Sequence, residues 1–197
     1  MKKIFAVLLI IASLFALAAC KPEGDPVTDG SATIGDFNNA ISATTPTSVT
    51  IKTTYENTAP AVTLNGEYNV TYNADGTATV AYKYDKLNSI GAADMTEEKV
   101  GAVNILANGT TTGDLDATVT AAAISKINLD EKKMTYSISM GALDATVKAD
   151  DTKAIFGIDL GSDARLIMRI TGDGKIGSYT INYSTPAGKA GIVCIYN

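Results

Sequence analysis

Two thiols, Cys20 and Cys194, and nine tyrosines are the reactive side chains of this 197-residue chain, which contains no histidine. Without imidazole there is no Ser-His-Asp or Cys-His pair to activate a nucleophile. The Cys/His sets that hold zinc are missing for the same reason. Neither an S-x-x-K motif nor a G-x-x-x-x-G-K-[ST] phosphate loop occurs. Gly172-Asp173-Gly174-Lys175 has the look of a phosphate loop, but it lies between two alternating segments and reads as a turn. Two carboxylates would suffice for a glycosidase. Asp114, Asp116, Asp150 and Asp151 sit in loop-like stretches, however, and no tryptophan is available to stack a sugar. Asp150-Asp151, or Asp159 with Asp163, could offer oxygens to calcium, without the spacing of an EF-hand. The pattern therefore predicts a non-enzymatic chain with no cofactor and no resident metal. Cys194, inside the apolar run Gly191–Tyr196, reads as a small buried hydrophobe. The tyrosines either line a face for an apolar or amphipathic ligand or simply suit a half-buried pleated surface.

Cys20 reads differently. Met1-Lys2-Lys3 is followed by an uncharged stretch from Ile4 to Ala19 and then by the cysteine. A basic start, an apolar centre and small residues before the cut describe a secretory signal. The uncharged stretch is shorter than the roughly 20 residues that span a bilayer. Leu17-Ala18-Ala19-Cys20 resembles the lipobox of bacterial lipoproteins. That resemblance implies removal of residues 1–19, attachment of lipid to the Cys20 thiol, and an extracytoplasmic domain held on a membrane. Lys21 follows, where aspartate tends to signal retention in the inner membrane, so an outer membrane is favoured if one exists. Two or more acyl chains anchor a protein stably, so the domain needs no membrane-binding face of its own. Lys21 to Ser31, with two prolines and two glycines, reads as a tether of roughly 35 Å reach. The whole chain carries a net charge of −5, and losing Lys2 and Lys3 makes it more negative still. Nothing in that balance attracts nucleic acid.

From residue 32 onward the periodicity assigns the elements. Ile34, Phe37, Ala40 and Ile41 recur at helical spacing behind caps at Ser31 or Thr33. After Pro46 the period becomes two: Val49, Ile51 and Tyr55; then Leu64, Tyr68, Val70 and Tyr72; then, past the turn Asn73–Gly76, Val80, Tyr82 and Tyr84. Residues 88–122 are weakly patterned and predict loops with one or two short strands. Met134, Tyr136 and Ile138 alternate, Ala142–Lys148 reads as a second short helix, and Leu166, Met168 and Ile170 alternate again. Tyr179, Ile181 and Tyr183 lead through Pro186-Ala187-Gly188 into a last strand. Alternation of this kind describes a sheet with one packed and one wet face, which favours antiparallel pairing.

Gly66-Glu-Tyr-Asn-Val-Thr-Tyr72 parallels Gly177-Ser-Tyr-Thr-Ile-Asn-Tyr183, and Val80 and Tyr84 parallel Ile192 and Tyr196. This suggests a helix-strand-hairpin unit present twice, in halves 32–87 and 134–197 of a single domain 32–197. The expected fold is mainly β with some α: a curved antiparallel sheet or half-barrel with two short helices. In element order it resembles the lipoprotein carriers of the LolA and LppX kind. That resemblance implies a concave, helix-lidded face that shelters a hydrophobic ligand, and it carries over no binding residue. The competing reading is an envelope or surface lipoprotein that acts through protein contact. Whether Val49, Ile51, Leu64, Val70 and Val80 line a void or a filled core separates the two.

Overall fold

The computed structural model describes residues 32–59, 61–87, 93–105, 111–112, 119, 122 and 127–197. The expected signal, the lipobox-like Leu17–Cys20, the expected tether and the candidate cap Ser31 lie outside them. One ten-stranded antiparallel sheet dominates, in the order β5-β4-β3-β2-β1-β10-β9-β8-β7-β6. Its strands are β1 (Ser48–Thr58), β2 (Ala61–Tyr72), β3 (Ala78–Leu87), β4 (Ala93–Ile105), β5 (Thr111–Thr112), β6 (Met134–Ser139), β7 (Ala142–Val147), β8 (Ala164–Ile170), β9 (Ile176–Thr185) and β10 (Gly188–Tyr196). Two meanders meet where the first strand pairs with the last, Val49 opposite Tyr196 and Ile51 opposite Cys194. The sheet does not close on itself: β5 and β6 are its edges.

The mainly-β, antiparallel expectation is correct, and α1 (Ile34–Ala43) and α2 (Thr152–Phe156) are the α-helices whose full extent lies among the described residues. Thr33 is the cap of α1. Its hydroxyl accepts from the Asp36 N–H at 3.3 Å, and the Asp36 carboxylate accepts from the Thr33 N–H at 2.7 Å. This reciprocal pair satisfies amides that the first turn leaves open. Ile34, Phe37 and Ala40 then lie on the buried side of the helix. Asn38 fixes α1 to the chain between β5 and β6. Its side-chain amide donates to the Leu129 carbonyl at 2.9 Å and accepts from the Leu129 N–H at 3.1 Å. At the other end the Thr44 hydroxyl accepts from the Ile176 N–H of β9 at 2.9 Å.

Three expectations are corrected. Ala142–Lys148 is not a helix: Leu143, Ala145 and Val147 point into the core from strand β7, and the second helix begins at Thr152. The alternation of those three residues outweighed the helix propensity of the alanines, because burial decides the period where propensity is weak. Within 88–122, β4 is a long strand of 13 residues instead of a short one. It pairs along β3 with two register shifts, which break the sequence alternation that would have revealed it.

The third concerns duplication. Val70 faces Val80 and Ile181 faces Ile192 in matching registers, and all four are buried, as are Tyr68 and Tyr179. The hand differs, however. Seen from the core with the first strand pointing up, β2 and β3 add to one side of β1, whereas β9 and β10 add to the opposite side of β8. A copied unit keeps its hand, so the two hairpins share a pattern and do not occupy equivalent places.

The turn between β6 and β7 holds a locally strained residue. Met140 (φ 51°) and Gly141 (φ 69°) form a two-residue connection with both residues left-handed. Such a turn favours Asn-Gly, since an L side chain other than Asn or Asp is disfavoured there. Met140 is 72% exposed, so little packing holds it in place. Met140→Asn should raise stability by about 0.5–1 kcal/mol. Denaturant titration of wild type and variant measures this, and a lower midpoint for the variant would show that Met140 has a packing role.

Candidate functional site

All nine tyrosines fall on the core-facing side of the sheet, at register positions set by alternation. Seven of them form two groups with different surroundings, and Tyr136 and Tyr183 stand apart from both. Tyr72, Tyr179 and Tyr196 gather with Cys194 near the seam between β1 and β10. Rings of Tyr179 and Tyr196 are 6.1 Å apart and inclined at 53°, and the Tyr179 hydroxyl donates to the Ala122 carbonyl at 3.4 Å. Burial pushes the Cys194 thiol and the Tyr72 phenol up to about 12, and Tyr179 and Tyr196 also move upward. A thiol held in its neutral form is a poor nucleophile. This cluster is part of the packing, and Cys194 behaves as the sequence predicts.

The second group lies on β2 and β3. Tyr68 and Tyr82 stack with centroids 6.0 Å apart, Tyr82 and Tyr84 follow at 5.6 Å, and the Lys86 ammonium sits 5.3 Å from the centre of the Tyr84 ring. That distance allows a cation–π attraction. Gly66 makes the arrangement possible. A Cβ there would come within 2.6 Å of the Thr53 hydroxyl and 2.8 Å of the Tyr68 ring, so the ring lies across the bare backbone of its own strand. Tyr68 and Tyr82 are buried, whereas Tyr55, Leu64, Tyr84 and Lys86 at the end of the row are half-buried. The result is an aromatic wall with a cation at its rim. A glycine inside an alternating strand marks close approach of another group, and Gly66 carries that signal in the sequence.

The void-or-core question has a split answer. Val49, Ile51, Val70 and Val80 keep essentially no accessible surface, and neither do Leu143, Leu166 and Met168 further along the sheet. Side chains lining a space large enough for water would retain some. Phe37 of α1, Val119 and Ile155 of α2 belong to the same packed core. Leu64 alone among the five diagnostic residues remains half-exposed.

The candidate acid and metal residues that the structure describes do not converge. Asp163 binds Lys148 at 2.8 Å and accepts from the Ala149 N–H, while Asp159 caps the Gly161 N–H. Asp150 and Asp151 lie in a 3-10 turn leading into α2. Gly172–Lys175 is the β8–β9 turn, with the Asp173 carboxylate 3.1 Å from the Lys175 ammonium. On the outer face Arg165 holds Asp144 in a two-pronged pair at 2.9 and 2.6 Å. Hydrogen bonds from Arg165 to Asp144, from Lys148 to Asp163, and from the Thr171 hydroxyl and then Lys175 to Asp173 hold these carboxyls below the ordinary range, so each stays ionised near neutrality. No group of three or more His, Cys, Asp or Glu residues converges among the described residues. Asp114, Asp116 and Cys20 lie outside them.

No protein-family model matches this chain, and no curated protein does. Among solved structures the chain is similar to the lipoprotein LppX of Mycobacterium tuberculosis. The match has 13% identity, covers 83% of this chain and 91% of that one, and has a TM-score of 0.37. It is also similar to Rv2717c of M. tuberculosis, with 11% identity, 80% and 97% coverage and a TM-score of 0.27. Overlaps of this size do not define a common fold. No helix among the described residues is long and apolar enough to cross a membrane.

Proposed function

We propose that this chain is a lipid-anchored, extracytoplasmic, non-enzymatic protein that binds an amphipathic ligand at the tyrosine rim of its sheet. The anchor reading rests on the Lys-Lys start, the apolar stretch and Leu17-Ala18-Ala19-Cys20. The binding reading rests on one observation: the core-facing side is packed at its centre but left half-covered at Tyr55, Leu64 and Tyr84, beside the Lys86 ammonium. An acyl chain lying against the half-buried rings and Leu64 would extend that apolar surface. The ligand lies at the edge of the packed face, since the centre has no room for it.

Two measurements test this. Labelled fatty acid should enter the wild-type chain in producing cells and not the Cys20→Ala variant. Label retained by the variant would end the anchor reading. A long-chain fatty acid titrated into the detergent-extracted full chain should change tyrosine emission, and Tyr84→Ala should weaken its binding by about tenfold, equivalent to about 1.4 kcal/mol. An affinity unchanged in Tyr84→Ala puts the ligand elsewhere. No binding at all favours the second reading, action through protein contact, which the fully packed centre around Ile51 and Val70 supports.

A further inference from the structure

β6 leaves the sheet open along one side. With Met140 and Gly141 as a two-residue turn, the Ser139–Ala142 pair and every second pair beyond it are hydrogen-bonded to β7. The amides and carbonyls of Tyr136 and Ile138 therefore point away from the sheet. Proteins commonly protect such an edge with charge, proline or a bulge. Met134–Ser139 (MTYSIS) has no charge and no proline, and its pairing with β7 runs without a register shift. The exposed large apolar side chains among the described residues are Tyr136, 42% exposed, and Met140, 72% exposed, and both belong to this edge or its turn. The opposite edge, β5, is only 2 residues long.

We propose that two copies of the chain pair edge to edge through β6, antiparallel, about a two-fold axis at Tyr136. A two-fold contact must be self-complementary, and this register meets that condition. Tyr136 faces its copy, Met134 faces Ile138, and Thr135 faces Ser137. Apolar side chains thus meet on the core side, and hydroxyls meet on the other. Lys133 falls opposite Ser139 and Lys132 opposite Met140, so no like charges oppose each other. Copies of a chain with net charge −5 repel over most of their surface, and this neutral strip is where they approach at least cost. Pairing forms about six backbone hydrogen bonds. It buries less than the roughly 1,000 Å² of a stable soluble complex. The contact therefore depends on the raised local concentration that confinement to a membrane supplies, and to that extent it rests on the anchor reading above.

The test uses the full chain in producing cells. In a hydrogen-bonded antiparallel pair the opposed Cα atoms are about 5.5 Å apart, a span that a disulfide bridges. Cys194 is buried and, on the anchor reading, Cys20 is acylated, so neither competes. Mild oxidation of Tyr136→Cys should give a covalent dimer in the membrane fraction, and Thr63→Cys, exposed in mid-sheet, should give none. Tyr136→Lys should lose co-purification of two differently tagged copies, as should Tyr136→Asp, and mixing the two variants should restore it. Membrane-bound protein that yields no Tyr136→Cys dimer overturns the pairing and leaves the anchor intact. Equal dimer from Thr63→Cys, or no rescue by the charge swap, also overturns it. Should the chain be recovered soluble, the anchor reading falls, and the same cross-link at millimolar protein decides the strand pairing.

Discussion

Truncating Phe37 to alanine should lower the stability of the domain by about 3–5 kcal/mol, a large part of the 5–15 kcal/mol that folded domains typically possess. Phe37 is the largest fully buried side chain among the described residues, and it reaches the core from a ten-residue helix. An isolated helix of that length is marginal in water. Packing of Ile34, Phe37 and Ala40 is what holds α1 on the sheet, assisted by the Thr33–Asp36 cap and the Asn38 bonds to Leu129. Removing the ring leaves a void in the core that Phe37 shares with the strand residues, and also loosens the helix that carries it. Phe37→Leu, which keeps most of the volume, should cost less than half as much. Urea denaturation of the three proteins decides it. A small, equal loss for both variants would mean that α1 adds little to the core.

Alkali should unfold the domain cooperatively. Tyr72, Tyr179, Tyr196 and Cys194 each hold their proton to a higher pH in the folded chain than in the unfolded one, chiefly because burial penalises the charged forms. Their ordinary values are 10.0 for the phenol and 9.0 for the thiol. Below about pH 8 both states are protonated and these groups leave stability unchanged. As pH rises further, the unfolded chain releases protons that the folded chain retains. Stability then falls by about 1.4 kcal/mol per pH unit for each such group. Four groups falling together across the β1/β10 seam should open the sheet before the folded state ionises them. Far-ultraviolet circular dichroism and tyrosinate absorbance should therefore change together in one steep step above pH 10. Gradual ionisation of all tyrosines with the β signal intact would contradict the burial of the cluster.

Where side chains alternate cleanly, the sequence was enough. Val49 and Ile51, Tyr68 and Val70, and Tyr179 and Ile181 all face the core as their spacing requires. The α1 cap was also legible, because a threonine followed three residues later by aspartate is a local signal. Ala142–Val147 misled because its alanines suit a helix, while Leu143 and Val147 are read correctly only with their partners Met168 and Ala164 in place. β4 was hidden by its register shifts. The hand of the two hairpins could not be read at all, since strand order is a property of long-range pairing and leaves no trace in local periodicity. For the tyrosine rim, residue type and facing were readable. The ring of Tyr68 lying over Gly66, and the incomplete cover at Tyr84, depend on how distant segments pack.

The pairing of β1 with β10 also sets a timetable. β1 is made first of the ten strands and β10 last, yet they lie side by side at the centre of the sheet. Until β10 emerges from synthesis, β1 offers an open edge and the two meanders cannot join. Contacts so far apart in sequence slow folding. A chain whose first strand must wait for its last cannot complete its sheet, and so stays threadable, until the whole of β10 has been made.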